Sequence, residues 1–162
     1  MKKLILALMF VAALGTVAAQ GFKVTDTSVG PLKIGMAVGQ IPASVDGLYD
    51  RVDKEDYRIN FYQGEDLVIQ AEEYGSGLSK ITAYEKANVY VVVLGKTYKM
   101  GDNIKALKSN PHLTYWPNTG TISVRMLALD LGTTINPDHR SWGDLLTRIT
   151  VTAYEDEDDY DY

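Results

Sequence analysis

The sequence predicts an α+β fold made of two tandem units, each a short helix packed on an antiparallel β-meander. Three observations predict it. Apolar and polar residues alternate in run after run from Tyr57 onward, the period of half-buried strands. The stretches with helical spacing are too few and too short to serve as crossovers between parallel strands, so the sheets are expected to be antiparallel. The chain also repeats itself. Leu32-Lys33-Ile34-Gly35 recurs as Tyr98-Lys99-Met100-Gly101 at an offset of 66. At the same offset Val38 matches Ile104, Ile41 matches Leu107 and Tyr49 matches Tyr115. Leu78-Ser79-Lys80-Ile81-Thr82 recurs as Leu146-Thr147-Arg148-Ile149-Thr150 at an offset of 68. Two landmarks in the same order point to a duplicated unit.

Residues 1–19 are expected to be a secretory signal peptide. Lys2 and Lys3 supply its positive start, Leu4 to Leu14 its apolar centre, and Val17-Ala18-Ala19 its small-residue cleavage site. The apolar stretch falls short of the roughly 20 residues that span a bilayer. Cleavage between Ala19 and Gln20 would deliver a periplasmic or secreted chain with no transmembrane segment. The sequence has no cysteine, so it has no acceptor for a lipid anchor. The units are placed at 20–92 and 93–154, and 155–162 is expected to be a disordered acidic tail.

In the first unit Val38, Ile41, Val45 and Leu48 are spaced as one face of a helix. Pro42 confines that helix to a start near Val38, and Asp46-Gly47 is its expected stop. In the second unit Asp102 is the expected N-cap, Ile104 and Leu107 face inward, and Asn110-Pro111 ends the helix. Strands follow each helix. Ile59 and Phe61, then Leu67, Ile69 and Ala71, then Ile81 and Ala83 alternate with polar neighbours, with turns at Gly64-Glu65-Asp66 and at Tyr74 to Gly77. Asn88 to Leu94 is a β-branched run. Ile122 to Ala128 alternates again, a short strand is expected at Thr133 to Asn136, then a loop over 137–144, then Ile149, Val151 and Ala153.

These motifs carry a resemblance. A Gly-Met step opening a short helix before an antiparallel meander, in tandem and behind an export signal, resembles the β-lactamase-inhibitor-like fold. It also resembles the single unit of the small outer-membrane-assembly lipoproteins. The "GPxKIGM" of Gly30 to Met36, the "IP" of Ile41-Pro42 and the "GLYD" of Gly47 to Asp50 are similar to uncharacterised periplasmic proteins of Bacteroides-type bacteria. The resemblance covers most of 27–154 and implies architecture. It implies neither inhibition nor assembly, because the disulfides of the first group and the lipidated cysteine of the second are absent.

Composition removes several chemistries. The net charge is −5, with 16 basic and 21 acidic residues, and six of the acids lie in the last eight residues. The rest is close to neutral, so no nucleic-acid partner is expected. Without cysteine there is no thiol nucleophile and no thiolate metal site. Two distant histidines make no metal cluster, no phosphate-binding glycine loop occurs, and no cofactor is expected. His112 reads as an exposed loop residue. His139, in Asp138-His139-Arg140-Ser141-Trp142, is the one candidate base, with Asp138 or Asp144 to orient it. The sequence has no Gly-x-Ser-x-Gly elbow to support that role, and no catalytic residue is assigned.

The remaining signal is aromatic: 11 tyrosines and two tryptophans. Tyr62, Tyr84 and Tyr90 are placed on the strand face opposite the helix-packed core. With Trp116, His139 and Trp142 they form the candidate partner-binding set, because tyrosine and tryptophan bury large areas at little entropic cost. The function expected is a non-enzymatic protein-interaction module of the cell envelope, its partner another envelope protein. The alternatives are a small hydrolase using the 137–144 loop, or a binder of a small apolar ligand between helix and sheet.

Overall fold

The computed structural model describes residues 21–125, 127–136 and 139–153. The expected signal peptide and acidic tail lie outside them. Thirteen strands run in order: β1 (Phe22–Thr25), β2 (Ser28–Val29), β3 (Leu32–Lys33), β4 (Arg51–Glu55), β5 (Arg58–Gln63), β6 (Asp66–Tyr74), β7 (Gly77–Tyr84), β8 (Val89–Val93), β9 (Lys96–Lys99), β10 (Thr114–Trp116), β11 (Thr121–Val124), β12 (Leu127–Asn136) and β13 (His139–Thr152). One α-helix, α1 (Ile41–Val45), follows a 3-10 turn at Val38–Gln40, and a second 3-10 turn covers Lys105–Leu107.

The α+β expectation is overturned. The described residues are 55% strand and 9% helical, with one short helix, and their strands form two large sheets rather than two helix-plus-meander units. The physical reason lies in the helical segments. Pro42 stands at the start of α1 and Gly47 leaves it with φ 70°, which limits α1 to five residues. Asp102 does not cap a helix; its carboxylate accepts the Lys99 N–H at 2.8 Å and closes the turn behind β9. Asn103 Oδ1 instead accepts the Lys105 N–H at 3.0 Å, and one 3-10 turn follows. Buried Ile41, Val45, Ile104 and Leu107 make both segments plugs for the core, as their spacing predicts.

Five strands pair in the order β3-β2-β1-β8-β9 and eight in the order β10-β11-β12-β13-β7-β6-β5-β4. Pairing is antiparallel except between β1 and β8, where Phe22 pairs Val89 and Val24 pairs Val91 in parallel. That pair departs from the expected all-antiparallel arrangement; the β2 to β7 segment supplies a crossover longer than any single helix. The larger sheet joins two four-stranded meanders, β4–β7 and β10–β13, along the β7–β13 seam. β8 crosses the expected boundary at 92/93.

Two tie points have the same form. The Gly35 N–H donates to the Leu78 carbonyl at 2.7 Å, and the Leu78 N–H to the Met36 carbonyl at 3.0 Å. The Gly101 N–H donates to the Leu146 carbonyl at 2.7 Å, and the Leu146 N–H to the Asp102 carbonyl at 2.9 Å. Each fastens the exit of a small-sheet hairpin to the last strand of a meander. A single core lies between. Phe61, Ile69, Ile81, Leu129 and Ile149 from the large sheet meet Val24, Val29, Leu32, Val89 and Val91 from the small one.

Candidate functional site

With the core on one side, alternation fixes the opposite face of the eight-stranded sheet. Register places Asn60, Gln70, Thr82, Thr150, Ala128 and Ser123 in one row across six strands. The row is polar and tied together. Gln70 Nε2 donates to Asn60 Oδ1 at 2.8 Å, and Tyr84 OH donates to Gln70 Oε1 at 3.3 Å. The Thr82 and Thr150 hydroxyls face each other at 3.5 Å across the seam. Asn60, Thr82 and Thr150 are buried and their side-chain polar groups are paired, as buried polar groups need to be.

Charged and aromatic groups stand around this row. Lys80 Nζ meets Glu72 Oε1 at 3.1 Å on this face, while the Lys54 Nζ–Glu73 Oε2 pair, also at 3.1 Å, lies on the other side of the sheet, where Lys54 pairs Ile59 and Glu73 pairs Leu78. The Arg51 guanidinium lies 3.9 Å over the Tyr62 ring, a stacked cation–π pair at the β4 edge. At the other edge Trp116 is 54% exposed and donates through Nε1 to Ser123 Oγ at 3.0 Å. Register links Tyr84 to Trp116 through Arg148, Asp130 and Thr121.

Of the six candidate residues, the structure therefore brings Tyr62, Tyr84 and Trp116 to one face. Tyr90 belongs to the other sheet, on β8, where it pairs Lys23 and Lys99. His139 and Trp142 lie in β13, paired with Asn136 and Thr133. The expected 137–144 loop is strand from His139 onward, part of a long hairpin, because β12 and β13 keep pairing past the register shifts at Asp130 to Thr133. Sequence reasoning missed Asn60, Gln70, Thr82 and Thr150. Their signal was present: each is a polar residue at a position that alternates with a buried apolar one.

Two other features bear on the alternatives. Asp144, a candidate partner for His139, accepts from Lys108 Nζ at 2.8 Å, and Lys108 also donates to the Gly143 carbonyl at 3.0 Å. The Lys108 hydrogen bond holds the Asp144 carboxyl below its ordinary range. A cleft lined by Phe22, Tyr49, Gln63, Val68, Ala87 and Asn88 has a volume near 20 Å³, which accommodates a water molecule but not an apolar ligand. The Tyr49 hydroxyl beside it is buried with no partner among the described residues, and burial pushes its pKa up to about 12. No helix among the described residues is long and apolar enough to cross a membrane.

No family model matches the chain, and no curated protein matches it. Among solved structures, the uncharacterised protein YfeY from Escherichia coli is similar in fold, with a TM-score of 0.54 and 14% identity over 81% of this chain and 99% of that one. At that identity the likeness is one of fold alone.

Proposed function

We propose that the protein is an exported, non-enzymatic interaction module that meets another envelope protein through the polar face of the eight-stranded sheet. One observation carries the reading. The paired Asn60–Gln70–Tyr84 and Thr82–Thr150 groups form a rigid polar centre flanked by Tyr62 on Arg51 and by exposed Trp116. Tyrosine, tryptophan and arginine are the residues that dominate protein interfaces. A pre-ordered polar centre loses little side-chain entropy on docking. The Lys2-Lys3 start and the apolar stretch to Ala19 support export to the envelope.

The same reading takes the two meanders as copies of one ancestral unit. The matching tie points at Gly35/Leu78 and Gly101/Leu146 support it, as does the meeting of Thr82 and Thr150, which correspond at the offset of 68. A photo-crosslinking residue at position 84 tests the docking face in intact cells, with Glu65 in an exposed turn as the control site. Capture of a discrete protein partner at 84 and not at 65 is expected. Equal labelling at both sites, or none at 84, contradicts the reading.

A further inference from the structure

The second exposed face, on the five-stranded sheet, carries a different chemistry. Its core side is filled by Val24, Val29, Val89, Val91 and Val93. The opposite side presents Lys23, Tyr90 and Lys99 in one row, since Tyr90 pairs both lysines. One step along, Lys33 pairs Ser28, Ser28 pairs Thr25, and Val92 pairs Thr97. These rows contain three exposed lysines and no acid, in a chain of net charge −5. Of the neighbouring acids, Asp26 meets Arg125 at 3.2 Å, and Asp102, in the turn behind β9, accepts the Lys99 backbone N–H at 2.8 Å.

The end of this face breaks a local rule. The β8–β9 hairpin turns through Leu94-Gly95, with φ 50° and 79°. A two-residue turn of this kind favours asparagine or glycine first, because a side chain with a Cβ is strained at positive φ. Leucine sits there nonetheless, 56% exposed, and Val92 beside it is 41% exposed. The fold gains no burial in return for the strain, and such uncompensated strain marks functional positions.

We propose that this face docks on an anionic phospholipid surface, with Leu94 and Val92 entering the headgroup boundary and Lys23, Lys33 and Lys99 meeting the phosphates. The occupant follows from complementarity: a basic face with an exposed aliphatic hairpin turn matches a negative surface with an apolar interior. An acidic protein would be served by the lysines but would have no use for the strained leucine. This inference concerns a different sheet from the docking face proposed above, and either stands without the other.

The test is co-sedimentation of the chain from Gln20 onward, which contains every described strand and core residue. The vesicles are phosphatidylethanolamine with phosphatidylglycerol, against phosphatidylcholine alone. Binding is expected to the anionic vesicles only and to weaken with salt. Replacing all three lysines by glutamine lowers it about 100-fold, since each lysine near such a surface contributes about a fivefold factor. Leu94→Asn provides the sharper control: asparagine relieves the turn, so the melting temperature rises while vesicle binding falls. No sedimentation, equal binding to both vesicle types, or a Leu94→Asn chain that binds as before overturns the proposal. Binding to immobilised polyglutamate without binding to vesicles overturns it as well and assigns the face to an acidic protein.

Discussion

At the scale of single residues, the most informative group is the Tyr49 hydroxyl. Its ring packs 5.1 Å from Phe61, while its oxygen is buried without a partner among the described residues. A buried hydroxyl left unpaired costs its desolvation, so Tyr49→Phe is expected to raise stability by about 1 kcal/mol in thermal unfolding. The pH dependence has a defined sign. Burial raises the folded pKa to about 12 from an ordinary value of 10.0. The folded state therefore holds the proton longer than the unfolded state, and stability from this group is complete below pH 10.0 and lost as pH rises towards 12. Tyr49→Phe abolishes that component of alkaline destabilisation; an unchanged alkaline profile contradicts the assignment. Gly77 is a second such residue. A Cβ there would stand 2.7 Å from the Gly35 carbonyl oxygen, at the crossing of β7 and the chain leaving β3. Gly77→Ala is expected to cost about 1–3 kcal/mol, because backbone on both sides leaves nothing to yield.

At the scale of elements, the strands that bury one face were legible. Ile59, Phe61, Ile69, Ala71, Ile81 and Ala83 alternate in sequence and are all buried. Alternation fails where both faces are polar or the strand is too short to show a period. β2 and β3 have two residues each. β4 reads Arg-Val-Asp-Lys-Glu, the charged pattern of a sheet edge protected against pairing with another chain. The start of β13 shows no period either, so the polar run from His139 looked like a loop. The helices were over-read because α1 and the Lys105–Leu107 turn bury the right residues without the length to be helices of consequence. Their role as plugs is testable: Ile104→Ala is expected to cost about 2–4 kcal/mol in denaturant unfolding, as a fully buried side chain in a close-packed core. Lys108 ties the second plug to β13 through Asp144 and Gly143. That hydrogen bond lowers the Asp144 pKa, so its contribution is present above the ordinary carboxyl range and lost as pH falls through the depressed folded value. Asp144→Asn should flatten the acid limb of the stability profile relative to the parent chain.

At the scale of the whole molecule, the chain makes one large sheet out of its two halves. The seam pairs Ile81 with Val151, Thr82 with Thr150 and Ala83 with Ile149. The internal repeat announced corresponding segments at 78–82 and 146–150, but a repeat in sequence carries no statement of how its copies meet. Long-range pairing across the seam, and the parallel β1–β8 contact in the smaller sheet, are tertiary choices with no local signal. The candidate site inherits that limit. Tyr62 and Tyr84 were legible as aromatic strand residues and Trp116 as a candidate aromatic without a strand. Their common face, the buried polar row beneath them and the separation of Tyr90 onto the other sheet followed only from strand order. Everything proposed for the polar face depends on the two meanders being one continuous sheet. Native-state amide exchange along β7 and β13 tests that most directly: the account predicts that amides of both seam strands are the slowest in the protein and exchange together, with the free energy of global unfolding. Exchange of the β10–β13 meander well before β7, with β4–β7 left protected, would show two independent units and contradict it.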